Sequence, residues 1–193
     1  VDAQSQGADL RATIDQIIEW HRERQYAIKQ QMRTDNAIAS FVRTKFGYSP
    51  FMAKAEAQPI IDRAQHIVEV CEYQKRAAEK AATLSAKQYA RQTRKFVLVC
   101  DDPAFDALRP IVFASLESRQ AYDIIRDRAE REMQALAQQL PVWQAFGDVD
   151  GFGIQSFAGI IGEAGDIGAY RSPAALWKRM GVAVVGGRRQ GQP

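Results

Sequence analysis

The chain has 193 residues, of which 46% are hydrophobic and 25% charged, with a formal net charge of +3. That length accommodates one ordinary domain, or a small domain with a long helical extension. The composition excludes a disordered tail, no stretch approaches the roughly 18 apolar residues of a membrane-spanning helix, and the first residues lack the basic-then-apolar plan of a signal peptide.

An opening Val1 is compatible with a fragment, a trimmed chain or a non-Met start. Cys71 and Cys100 are far apart in sequence and lack any CxxC, and His21 and His66 are the only histidines. No zinc site follows from such spacing, so neither a metal nor a cofactor is expected. Both cysteines read as small apolar packing residues in a reduced, bacterial-type cytoplasm. Charge is unevenly spread: residues 1–99 carry 16 Lys/Arg against 11 Asp/Glu, residues 100–150 carry 5 against 10, and residues 151–193 carry 5 against 2. Two basic ends suit phosphate contact, with the acidic middle facing away.

The first predicted element is a long helix from about Ala8 to Lys45. Leu10, Ile14, Ile17, His21, Arg24, Ile28 and Gln31 follow a 4-3-4-3 spacing that Asp35, Ile38 and Val42 continue. This is a coiled-coil-like seam with a polar middle, which sets pairing register or admits a partner. Asp9 is placed to cap its start, and Gly47-Tyr48-Ser49-Pro50 ends it. A second helix is expected from near Pro59 towards Lys95, with Ile60, Ile61, Ala64, Ile67, Val68 and Cys71 on its apolar face. Its Lys75–Lys95 part has high helix propensity and a thin apolar stripe, the mark of a solvated face and also compatible with nucleic-acid contact. Phe96-Val97-Leu98-Val99-Cys100 is read as the buried end of this helix, because no second strand is visible to pair with it.

Asp101-Asp102-Pro103 restarts the chain with the wording of a helix N-terminus. A third helix is predicted from Ala104 to Leu140, kinked at Pro110 and closed by Pro141. With no Gly-rich linker between them, the three helices are expected to form one antiparallel hairpin system.

After Pro141 the style changes. Val142-Trp143-Gln144-Ala145-Phe146 is a short apolar helical turn, followed by Gly147-Asp148-Val149-Asp150, then Gly151-Phe152-Gly153-Ile154 opening a further helix. Short helix, glycine turn and second helix beginning on an apolar residue is the wording of a helix-hairpin-helix. Its two glycines are expected to permit a tight turn with positive φ. The unpaired amides at the second helix's start, backed by its dipole, then face a phosphate and read little sequence. A dinucleotide-binding loop also uses Gly-x-Gly, but Ser156 occupies the third glycine position and no strand precedes the turn. The glycines also serve as a plain connector between packed helices.

The stretch Ile160-Ile161-Gly162-Glu163-Ala164-Gly165-Asp166-Ile167-Gly168-Ala169-Tyr170, and then Ser172-Pro173-Ala174-Ala175-Leu176-Trp177-Lys178-Arg179-Met180-Gly181-Val182, complete a segment from Val149 to Gly191. This segment resembles the C-terminal region of transposases of the IS110/IS116/IS902 type, a helix-hairpin-helix-containing domain. Ser172 and Pro173 make an N-cap and first-turn pair, and Gly181 stands where a helix terminator belongs. Against that resemblance, no N-terminal RuvC-like acidic domain is present. Gln190 stands where the family's serine belongs, and an amide cannot act as that nucleophile. The chain also stops at Pro193, before the rest of that domain.

The fold expected is all-α: a long antiparallel, coiled-coil-like arm over 1–141 and a truncated helix-hairpin-helix domain over 142–193. The resemblance implies a bacterial, cytoplasmic, DNA-associated protein that holds the DNA backbone without sequence preference and self-associates through its long helices, with no membrane partner. The candidate DNA-binding residues are Gly151, Phe152, Gly153, Ile154, Gln155, Ser156, Lys178, Arg179, Arg188 and Arg189. No catalytic residue is assigned. Two other readings stand beside this one: a fragment or subunit of an active transposase or recombinase, and a helical dimerisation protein whose glycine hairpin is only a connector.

Overall fold

The computed structural model describes residues 3–85, 99–147 and 149–181, with the backbone of 184–185 and 188–189. The fold is all-α. Helix α1 covers Ala3–Lys45, α2 Lys54–Ala82, α3 Phe105–Ala137, α4 Trp143–Phe146, α5 Ile154–Ala164 and α6 Pro173–Arg179, with a 3-10 turn at Ile167–Ala169. The one departure among the described residues is a two-residue antiparallel pairing, in which Val184 of β1 (Val184–Val185) faces Arg189 of β2 (Arg188–Arg189).

α1 begins before Asp9, so that residue lies inside the helix rather than capping it; its carbonyl accepts the Thr13 hydroxyl one turn on, at 3.0 Å. The helix closes on a Schellman-type cap: Gly47 takes φ +80°, its N–H donates to Thr44 (3.0 Å), and Tyr48 N–H donates to Arg43 (3.1 Å). α2 begins at Lys54, five residues before Pro59, and ends at Ala82. Its start is therefore set by the turn at Ser49–Ala53, and Pro59 is absorbed in the second helical turn, where it supplies no N–H to the helical ladder. Residues 86–98 lie outside the described part. Val99 and Cys100 are not helical, so the helix end expected there is not found at those two positions. α3 starts where the acid-proline wording places it: Asp102 Oδ1 accepts the Ala104 N–H at 2.9 Å.

The contacts divide the chain into two compact units: Val1–Ile28 with Asp123–Pro193, and Lys29–Tyr122. This division crosses the expected boundary at residue 141, because α5 buries its apolar face on α1 and on the end of α3. In the unit Lys29–Tyr122, Ile38 and Val42 of α1, Ala64, Ile67, Val70 and Cys71 of α2, and Phe105, Leu108, Val112 and Leu116 of α3 form one core. Arg119 of α3 bridges Asp35 of α1 (3.1 Å) and Glu72 of α2 (3.2 Å). Arg63 of α2 grips Asp102 with two N–H donors at 2.5 and 2.9 Å, and lies 3.9 Å over the Phe46 ring. That guanidinium holds the Asp102 carboxyl below the usual carboxylate range. These pairings set both α2 and α3 antiparallel to α1. α2 and α3 are thereby parallel, since Arg63 and Asp102 meet near their starts and Glu72 and Arg119 meet further along. The expected wholly antiparallel hairpin system is corrected accordingly: a parallel pair needs a long return between α2 and α3.

In the other unit, Ile14 and Ile17 of α1 pack on Met133 and Ala137 at the end of α3, on Leu140 just beyond it, and on Phe157, Ala158 and Ile161 of α5. Here too α1 and α3 are antiparallel, with Arg24 donating to Glu130 at 2.8 Å. The 4-3-4-3 seam is the buried stripe of α1: Ile14, Ile17, His21, Gln31, Ile38 and Val42 are all buried. Of the remaining seam positions Leu10 is exposed and Arg24, Ile28 and Asp35 are half-buried, with Ala27 rather than Ile28 taking the fully buried place.

Among the described residues, no helix is long and apolar enough to cross a membrane, and no group of three His, Cys, Asp or Glu side chains is placed to hold a metal ion.

Candidate nucleic-acid interface

α4 and α5 are short helices on either side of the segment 151–153, and their aromatic side chains meet. Leu140 ends the chain's run along α3, and Trp143–Phe146 forms a single helical turn closed by Gly147. Gly151 takes φ +78°, a conformation that costs an L side chain about 1–2 kcal/mol. Gly153 does not: at φ −83°, ψ 161° it is extended backbone and serves as the N-cap of α5. Only one of the two glycines is thus required by conformation.

No side chain caps α5. The Ser156 and Phe157 amides donate to the Gly153 carbonyl at 3.0 and 3.2 Å, while those of Ile154 and Gln155 have no acceptor among the described residues. Gly151, Gly153 and Ser156 are exposed around them. Two free amides at the positive end of an 11-residue helix are an anion-accepting arrangement.

The side chains assigned to this interface divide by environment. Phe152 is half-buried in an aromatic cluster, its ring 5.6 Å from Phe146 and 6.4 Å from Phe157, with Trp143 5.4 Å from Phe157. Ile154 packs on the same core. Gln155 accepts a 2.6 Å hydrogen bond from Gln134 of α3. These three residues position the turn, and their side chains are committed to the protein.

Lys178 and Arg179 are exposed on the last turn of α6, and Arg179 donates to the Glu163 carbonyl at 3.4 Å. Glu163 belongs to the last turn of α5, roughly 15 Å along the helix from Ile154 at about 1.5 Å per residue. The structure therefore places these cations at the opposite end of α5 from the free amides. Arg188 and Arg189 pair with Val185 and Val184 through their backbone. Gln190 lies outside the described residues. Asp150 is exposed beside Gly151 and adds a negative charge to the turn itself.

Ser172 and Gly181 sit as their residue types demand. Ser172 Oγ accepts the Ala175 N–H (3.3 Å) with Pro173 in the first turn, and Gly181 takes φ +70° after α6. Two residues were missed by sequence reasoning. Tyr170 donates its hydroxyl to the Ala164 carbonyl at 2.7 Å, pinning the end of α5. Gly162 lies against His21 so closely that an added Cβ would stand 2.5 Å from the His21 Cβ and Cγ. Spacing gave no signal for that contact, because it joins residues 141 positions apart. Comparison with protein-family models, with curated proteins and with solved structures finds no match.

Proposed function

We propose that this protein binds the nucleic-acid backbone through the α4–turn–α5 hairpin, as its resemblance to the C-terminal region of IS110-type transposases implies. The observation that carries the reading is the start of α5, which no side chain caps and where the Ile154 and Gln155 amides have no acceptor among the described residues, next to the exposed Gly151 and Gly153. Such a site accepts one phosphate and reads no base. Lys178 and Arg179 then add charge contacts away from the turn, and Arg188 and Arg189 are proposed as two further cations for the same backbone. The proposed role is binding without catalysis.

Fluorescence anisotropy with a labelled DNA duplex at low salt tests it. Binding should weaken as salt rises, with a slope of about −0.9 in log K per phosphate neutralised. Gly151→Ala should weaken binding several-fold, because φ +78° is strained for alanine, whereas Gly153→Ala should leave it nearly unchanged. An intact protein that binds no duplex at low salt, or variants with the opposite ranking, would remove the proposal.

A further inference from the structure

His21 is buried at 7% exposure in the seam of α1, under the last turn of α5. Its Nε2 stands 3.4 Å from Glu163 Oε2, and the Gln25 side-chain amide nitrogen lies 3.4 Å from the same ring nitrogen. Its Nδ1 is buried with no hydrogen-bond partner among the described residues, and it faces Gly162, where a Cβ would come within 2.8 Å. The neutral imidazole fits this cradle as the Nε2–H tautomer: its proton points to Glu163, and the bare Nδ1 lies against glycine. The Gln25 amide nitrogen then makes no hydrogen bond to that protonated nitrogen. A second proton would have to go on Nδ1, where no acceptor awaits it and the Gly162 backbone closes off the approach.

We infer that His21 is an acid-sensitive latch, holding α5 against α1 while neutral and releasing it when a second proton is forced onto Nδ1. The charged groups around the ring do not compensate. Glu163 from α5 favours the imidazolium, but its side chain is half exposed and reaches only Nε2. Arg24 from the same helix opposes it, and α3 contributes Glu130, whose carboxylate Arg24 already engages. α6 brings the Arg179 guanidinium to the Glu163 carbonyl. Burial, the largest influence, pushes the imidazole below the ordinary histidine value of 6.5. Because the folded value is depressed, the unfolded or opened state binds the proton first. Stability is then complete above pH 6.5 and is lost as pH falls towards the folded value.

The latch is tested on the full chain by amide exchange and by NMR titration of its two histidines, between neutral pH and the onset of carboxylate protonation near pH 5. After correction for intrinsic rates, exchange in α5 should speed up as pH falls, by at most about tenfold per pH unit for a single proton. The amides around Ile67 and Val70 should not follow. His21→Leu keeps the Cβ and Cγ but cannot titrate, and its α5 exchange should be flat across the window. Glu163→Gln removes the one favourable counter-charge and should extend the acid response to lower pH. The wild-type titration stands even if His21→Leu fails to fold. A His21 imidazole that titrates at its ordinary value with α5 still protected overturns the latch, as does an undiminished acid response in His21→Leu.

Discussion

Glycines of α5 that look alike in sequence have different physical roles. At Gly162 an added Cβ meets the His21 Cβ and Cγ at 2.5 Å, atoms that cannot move without shifting α1. Gly162→Ala should therefore destabilise the protein by about 1–3 kcal/mol, the range of core overpacking. At Gly159, in the same helix, nothing lies within 4 Å, so Gly159→Ala should stabilise by roughly 0.5–1 kcal/mol through helix propensity. Urea denaturation of the two variants should give shifts of opposite sign. A second residue-scale expectation concerns Cys71, fully buried in α2, where burial pushes the thiol up to about 11. It should resist alkylation in the folded protein at mildly alkaline pH and react only on unfolding. As the folded value is raised, this thiol's contribution to stability is whole below the ordinary value of 9.0 and is lost as pH rises towards 11. Mass spectrometry after alkylation, with and without urea, reads the first effect.

At the scale of the elements, α1 shows how a polar seam is used. Its interruptions at His21, Arg24, Gln31 and Asp35 were open between register and partner entry. At three of them the partners now identified are internal: Glu163 for His21, Glu130 for Arg24 and Arg119 for Asp35. Arg119 joins α1 and α2 to α3, so Arg119→Ala leaves the Asp35 and Glu72 carboxylates without that shared cation. Since all three side chains retain 22–42% exposure, the cost should be about 1–3 kcal/mol, below that of a fully buried pair. A double-mutant cycle with Glu72→Gln should return a coupling energy above roughly 0.5 kcal/mol; additivity would show that the bridge contributes nothing. Helix identity was legible from periodicity, since Ile14, Ile17, Ile38 and Val42, or Ala64, Ile67 and Cys71, recur on one face. Helix starts were less so. Asp9 and Pro59 are good boundary residues that the chain passes through, because the boundaries were set by neighbouring turns and by packing.

For the molecule as a whole, the two cores share no buried residue, and α1 and α3 each contribute to both. The net charge of +3 is small, so the proposed phosphate binding should be weak and strongly salt-dependent. The sequence by itself determined the helical class, most of the buried stripe of α1, the caps at Gly47, Asp102, Ser172 and Gly181, and the short helices α4 and α5 on either side of a glycine-containing turn. All of these rest on interactions between residues a few positions apart, where dihedral preference and periodicity suffice. Only the tertiary structure decided that α2 and α3 run parallel, that the units divide at Ile28 and Asp123, that Phe152, Ile154 and Gln155 face inward, and that Lys178 and Arg179 lie at the far end of α5. It also decided that His21 sits beneath Gly162. Each of these depends on which apolar face buries against which, and on charges and glycines brought together from distant parts of the chain, a choice made by packing and desolvation that local spacing does not encode.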